Sequence, residues 1–535
     1  MFALALACAA GRQAGAQTSV TTFHYDNGRT GWNSTETALT PATVGGSVGA
    51  PSSFGLLSSV ALDAQVNAQP LVVPGVVVTG DPNPGTHDVV YVVTEGNTVY
   101  AIDSTQGTVL LSVNLGTPVP PAPYCGSPQP GVGIMSTPVI DLGRSLIYLI
   151  AYTQGTAGPT YTLHALSLST LADAMPPQVI AGSQTLTNGK TYAFNAAKTR
   201  QRPALLEANN AIYAGFGAFC DGYPSLARGW VMGWTADTLL PLNQNGAGAA
   251  IGELTNRLSA APNSWFLESV WMSGAGLAAD TLGVYFLTGN ADKSGTTYDG
   301  VNSIQNSLIK LSASTSTVLD LFTPYNVAYL DQHDDDFASG GVMLLPPVGS
   351  APPLATAAGK FGTMYLLNRT SLGGYTPGGP DNVLASETIG RCWCIESYFA
   401  APTPTVVSSG GYTLMTWQVN TTPSVGLTKL ATAVQTKSVE DAGFFTSVSS
   451  NGATQPIIWA VIRPGSADET TLTLSAFGAA PTKGTKVLPL LFSASAGTWP
   501  GPNSNADVVP VVANGRVYVA SYQQLAIFGL GAAAP

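Results

Sequence analysis

The chain has 535 residues, a formal charge of −10 and only 9% charged residues, where a soluble domain usually carries about 25%. The missing charge is made up by 59 Gly, 38 Pro and many hydroxyl and amide side chains. That excludes a coiled coil, an ion-laced helical bundle and a charge-rich disordered chain, and without a basic excess no nucleic acid is expected as partner.

Mean hydropathy is +0.21, yet no uninterrupted apolar run of about 18 residues follows the first ten positions, so no transmembrane segment is expected. Residues 1–16 read MFALALACAAGRQAGA. A short apolar stretch followed by Ala14-Gly15-Ala16 is the pattern of a secretory signal with its cleavage site. A signal peptide over 1–16 is expected, truncated because the basic n-region is missing. The protein is then exported, periplasmic or extracellular. Cys8 follows Ala5-Leu6-Ala7, a poor lipidation sequence. Its removal leaves Cys125, Cys220, Cys392 and Cys394, an even count that in an exported chain points to disulfides. No C-x-x-C-H occurs, so no haem is expected, and Cys392-Trp393-Cys394 is too tight for a zinc half-site.

Residues 17–53 read as an N-terminal arm. Its motif FHYDNGRTGWN holds His24, Asp26, Asn27 and Arg29 and is expected to tie the arm to the main body of the protein. Gly45-Gly-Ser47-Val-Gly49 matches G-x-S-x-G by letters but precedes no helix. Short β-rich runs then recur between Gly, Asn and Asp turns. The clearest unit spans 69–116: QPLVV, DVVYVVT, NTVYAID and TVLLSVN, with hairpin turns at Glu95-Gly96-Asn97 and Ser104-Thr105-Gln106-Gly107. Similar units follow at 136–168, 202–235 and 273–323, then around GTMYLLN, YTLMTWQV and PIIWAVI, and the last covers 508–530. That last unit is one strand short, and FGLLSSVAL at 54–62 can supply it, closing a ring and removing exposed sheet edges. The reading is an all-β propeller of about eight four-stranded blades over 54–530, with a disordered tail at 531–535; seven blades is the alternative. Asn188-Gly-Lys190-Thr191 lacks the first Gly of a P-loop, so no nucleotide is expected.

If the strands of each blade run outward from A to D, the B–C turns and the D–A connections share one face. Most acidic residues fall there, among them Glu95, Asp221, Glu268, Asp331, Asp334, Asp335, Asp336, Glu396 and Asp441. This face is where a site is expected. Cys125 and Cys220 both lie on it and are expected to form a disulfide between two loops; Cys392 and Cys394 are expected to staple one. Asn290, Asp292 and Ser294 before Gly295 resemble the opening of a calcium loop, without a Glu at the twelfth position. The run 331–336 clusters carboxylates that repel unless solvated, paired or bound to a cation, which makes Asp334 and Asp336 metal candidates. Trp271 and Trp393 are stacking platforms for a quinone or a sugar, beside Trp265 and Trp499. Arg202 opens an inner strand and can hold a carboxylate. His164 reads as packed within a strand, and His87 lies in a hairpin turn.

The run VYVVTEGNTVYAIDSTQGTVLLSV resembles the repeat of quinoprotein-type propellers, the PQQ-like family, and the likeness extends from FHYDNGRTGWN through GIMSTPVID, QRPALL, WMSGAG and VYFLTGN to VANGRVYVASYQQLAIFG. Ala101, Asp103 and Gly107 match the family's A-x-D-x-x-T-G-x-x-x-W pattern, while Gln106 replaces Thr and Leu111 replaces the docking Trp. The vicinal cysteine pair of the catalytic members is replaced by Cys-Trp-Cys in a late blade. The expectation is an exported propeller, monomeric, that binds a small molecule or a protein on its loop face, with a glycan suggested by the aromatic residues alone. It implies as the alternative a dehydrogenase of alcohols or sugars dependent on PQQ and Ca2+, in which calcium polarises the quinone and Asp335 or Glu95 acts as base.

Overall fold

The computed structural model describes the chain except residues 1–16, 47–51, 81–83, 122–130, 220–226, 243–252, 260–266, 292–296, 401, 435–440, 467–468, 501–505 and 532–535. Blade 1 shows how the sequence builds each unit. Its four strands, Leu71–Val78, Gly85–Val93, Thr98–Asp103 and Val109–Asn114, pair antiparallel in chain order. They are rich in β-branched residues, which favour a pleated, covered surface. The Asp103 carboxylate accepts the amides of Thr105 and Gln106, both at 2.8 Å, and turns the chain. Gly107 follows at φ +68°, and a Cβ there would press on the Ser58 hydroxyl of the neighbouring blade. Both the turn and the blade contact therefore demand glycine.

Blades 2 to 7 span 139–179, 206–254, 278–323, 342–388, 397–434 and 445–498. Blade 4 gains an outer parallel strand, Gly374–Tyr375, and blade 7 an inner one, Trp32–Asn33. Blade 8 is assembled from both ends of the chain. Val511–Ala513 pairs with the first part of Arg516–Leu530, that run turns where Gln523 takes φ +55°, and its second part pairs with Phe54–Gln65. The ring thus has eight blades, closed by the strand expected from 54–62. The apolar cores lie between blades: one cluster joins residues of blades 1 and 2, another blades 7 and 8, and another blades 8 and 1. Leu111, in place of the docking Trp, is buried against blade 2. Two short helices, Pro41–Gly45 and Val327–His333, were not expected. No helix among the described residues is long and apolar enough to cross a membrane.

The arm does more than flank the ring. Val20 pairs with Val72 of blade 1, and the Thr21 carbonyl accepts the Ile140 amide of blade 2 at 2.8 Å. Asn27 donates to the Glu207 carbonyl of blade 3 at 2.8 Å. The carbonyls of Asn27, Gly28, Thr30 and Gly31 accept the amides of Ala279, Leu344, Tyr398 and Val448, in blades 4, 5, 6 and 7. Asn33 reaches Val512 of blade 8. The arm therefore visits the innermost strand of every blade in order, which only a coil lying on the axis can do. Its ends, Thr18 and Glu36, bond to Asn514 and Gly515 in the A–B turn of blade 8. It thus fills the axial opening from the face opposite the B–C turns.

Candidate functional site

The arm reaches the A–B turns, so the B–C turns and D–A connections surround the axis on the other face, the funnel of the ring. Arg202 enters from the connection before blade 3, and its Nη2 pairs with Asp507, from the connection before blade 8. Blades 1 and 2 separate these elements in the ring, so the pair crosses the axial opening. Arg463, in the B–C turn of blade 7, holds the other Asp507 oxygen at 2.9 Å and donates to the Trp393 carbonyl at 3.1 Å. Burial pushes the Arg202 guanidinium down to about 9, helped by the positive charges of Arg200 and Arg463. Asp507 is thus buried between Arg202 and Arg463, with the Arg200 charge close enough to act on Arg202.

Trp271 is seated by two glycines. A Cβ at Gly217 would lie 2.6 Å from its Nε1, and one at Gly289 would lie 3.4 Å from its ring. The indole donates to the Ala218 carbonyl at 3.0 Å and stays partly exposed. Met272 and Ser273 follow at φ +51° and +46°, uncommon for residues with a Cβ. This turn brings Gly274 against Asp507. Arg202 therefore meets a carboxylate with the 271–274 turn alongside, and Gly217 and Gly289 were the small-residue signals for the indole's seat.

Three of the acidic loop residues are buried rather than solvated. Glu95, Glu268 and Glu396 are fully buried, and burial raises each carboxyl to about 8. Glu95 accepts Gln65 at 3.2 Å and Asn67, with the Arg200 and Arg202 charges opposing its rise. Glu268 accepts Asn256, Ser303 and the Ile304 amide at 2.7–3.0 Å. Neither carboxyl oxygen of Glu396 has a hydrogen-bond partner among the described residues.

Asn290 and the run 331–336 do come together. The Asn290 amide donates to Asp336 at 3.0 Å, its side chain donates to Asp334 at 3.2 Å, and its own oxygen accepts Asn306 at 2.8 Å. Asp331 accepts the Ala291 amide at 3.1 Å and the Asn306 and Gln305 side chains at 3.0 and 3.2 Å. Lys360, in the B–C turn of blade 5, places its ammonium 2.7 Å from Asp334 and 3.8 Å from Asp336. Arg391 holds Asp335 at 2.8 Å. The rings of Trp393 and these two cations meet, with Lys360 Nζ at 5.7 Å and the Arg391 guanidinium at 5.4 Å from the indole centre. Sequence reasoning missed Lys360, Arg463 and Asp507, because nothing local marks a loop residue whose partner comes from another blade.

Cys392 and Cys394 flank Trp393 with their sulfurs 1.95 Å apart. Cys125, Cys220, Asp221, Asp292, Ser294 and Trp265 lie outside the described residues. His164 and His87 pair with Asp173 and Asp103 away from the funnel. Trp499 is buried in the core between blades 7 and 8.

No family model and no curated protein matches the chain. Solved structures do. The europium-containing methanol dehydrogenase aligns at a TM-score of 0.61 and 11% identity, over 97% of this chain and 99% of that one. The quinohemoprotein alcohol dehydrogenase from Comamonas testosteroni aligns at 0.57 and 15%, over 98% and 82%. The quinohemoprotein alcohol dehydrogenase ADHIIG from Pseudomonas putida HK5 aligns at 0.56 and 14%, over 97% and 81%. The chain is an eight-bladed β-propeller with the fold of the quinoprotein dehydrogenases.

Proposed function

We propose that the chain is an exported ligand-binding propeller whose funnel takes one small, planar, anionic molecule. The carrying observation is that Arg202 and Arg463 converge on a single carboxylate, Asp507, against which the turn following the partly exposed Trp271 packs. A ligand carboxylate can replace Asp507 on Arg202 in a paired, charge-assisted contact, while its plane lies on the indole. The arm closes the opposite end, so a ligand enters and leaves by one route. Glycan or protein binding on the same face is a coarser form of this reading.

The second reading is a dehydrogenase of alcohols or sugars using PQQ and Ca2+, favoured by the fold shared with alcohol and methanol dehydrogenases. Bound PQQ would supply the two-electron acceptor, and Arg202 and Trp271 are the residues that fit it. The bases expected for that chemistry speak against it. Asp335 is held by Arg391, and Glu95, raised to about 8, keeps its proton at neutral pH.

Titration of the purified chain with PQQ, read by absorbance and by quenching of tryptophan fluorescence, tests both. Saturable binding that Arg202→Ala weakens at least tenfold, without dye reduction by a panel of alcohols and sugars, is the expected result. Absence of saturable binding overturns the small planar anion reading. Binding with substrate-dependent dye reduction replaces it with the dehydrogenase.

A further inference from the structure

The acidic run 334–336 is the natural place to look for a divalent cation, and a cation already stands there. Lys360 Nζ sits 2.7 Å from Asp334 and 3.8 Å from Asp336. Its backbone is locked in the same place: the Lys360 amide donates to the Asp336 carbonyl at 2.9 Å, and its carbonyl accepts Arg391 Nε at 3.1 Å. The Lys360 side chain is 15% exposed, with its ammonium 5.7 Å from the centre of the Trp393 ring. Burial lowers its pKa, but the Asp336 and Asp334 charges outweigh it, and the pKa is raised.

The neighbouring oxygens are committed as well. Asp336 accepts the Asn290 amide, Asn290 accepts Asn306, and Asp331 accepts three donors. Calcium requires six to eight oxygens at about 2.3–2.6 Å. An ammonium within hydrogen-bonding distance of Asp334 and a few ångströms from Asp336 takes up that volume and repels a second cation at close range. Among the described residues the donor set therefore does not fit a calcium ion while Lys360 is charged.

We propose that Lys360 is the resident cation of the funnel: its ammonium balances Asp334 and Asp336 in the position a divalent metal would take, so the site keeps its shape and binds without one. This inference holds whichever ligand the funnel accepts, because its test reads metal and not ligand.

The test is a terbium titration of the full chain, following luminescence sensitised by tryptophan, with displacement by Ca2+. The natural protein is expected to show no saturable signal. Lys360→Met removes the charge and frees both carboxylates, and is expected to bind Tb3+ at least tenfold more tightly, reversed by Ca2+ and lost again when Asp336→Asn is added. Lys360→Arg keeps the charge and should behave as the natural protein does. Saturable binding of Tb3+ by the natural protein that Asp336→Asn abolishes overturns the proposal, as does a folded Lys360→Met variant that binds no better than the natural chain. If Lys360→Met fails to give a cooperative thermal transition, the natural protein decides the question. No saturable signal there sustains the proposal, and an Asp336-dependent one ends it.

Discussion

At the scale of single residues, the buried carboxyls carry a pH signature. Glu396 is fully buried with neither oxygen partnered among the described residues, and burial raises it to about 8 from an ordinary 4.5. Between those values the unfolded chain has lost this proton and the folded chain has kept it. The folded state binds more protons, so stability falls as pH rises through that window, by at most about 1.4 kcal/mol per pH unit for this group. Below about 4.5 both states are protonated and the group is silent. Glu396→Gln is expected to flatten the fall in urea midpoint between pH 5 and 7.5; an unchanged slope would assign it to Glu95 and Glu268, which share the shift. Gly217 offers a steric counterpart. Alanine there collides with Trp271 Nε1 at 2.6 Å and with Ser269 Cβ at 2.8 Å, so Gly217→Ala should shift tryptophan emission, weaken ligand binding and lower stability by about 1–3 kcal/mol, read as a lower urea midpoint. The buried carboxyls were invisible in the sequence for one reason. Burial of a loop carboxylate depends on which other loops cover it, and loop polarity alone suggests exposure.

At the scale of elements, the strands were legible, and the arm was too, but its path was not. Valine-rich runs between Asn, Asp and Gly turns mark a strand by their own composition, as in blade 1. The arm has no repeat and little regular structure, and its order comes from hydrogen bonds to strands far away in the chain. Arg29 is its pivot. Completely buried, it donates to the carbonyls of Leu277 at 2.7 Å, Leu205 at 3.1 Å and Phe23 at 3.0 Å, and to the Thr22 hydroxyl at 2.6 Å. These acceptors solvate the guanidinium in place of water and fasten the arm between blades 3 and 4. Arg29→Met keeps the apolar stem and removes every donor, leaving buried carbonyls unpaired at about 1–3 kcal/mol each. A drop of at least 10 °C in the thermal midpoint is expected. A drop of only a few degrees would mean that the arm is held by its backbone bonds alone. The pairing of 334–336 with Lys360 and Arg391 was equally hidden, since the partners stand 26 and 56 residues away in other connections.

At the scale of the whole molecule, the ring is held shut in two places by one stretch of chain. Phe54–Gln65 completes blade 8 alongside 522–530, and the arm preceding it circles the axis. The first closure could be read from the sequence, because a terminal unit one strand short and an orphan strand before the first unit imply each other. The second could not, because an axial coil leaves no periodic trace. The two closures act on different failures. The outer strand covers an edge that would otherwise pair with another molecule, whereas the arm ties the inner strands of all eight blades. A chain shortened to begin at residue 52 keeps the first and loses the second. It should therefore remain unaggregated at low concentration but melt over a broader range, as blades lose their common tie, and its funnel should be open at both ends. A chain beginning at residue 70 loses both, exposes the strand 522–530, and should self-associate on size-exclusion chromatography. If both truncated chains melted as sharply as the natural one, the blade-to-blade cores alone would be closing the ring, and the arm's circuit would serve only to stop the channel.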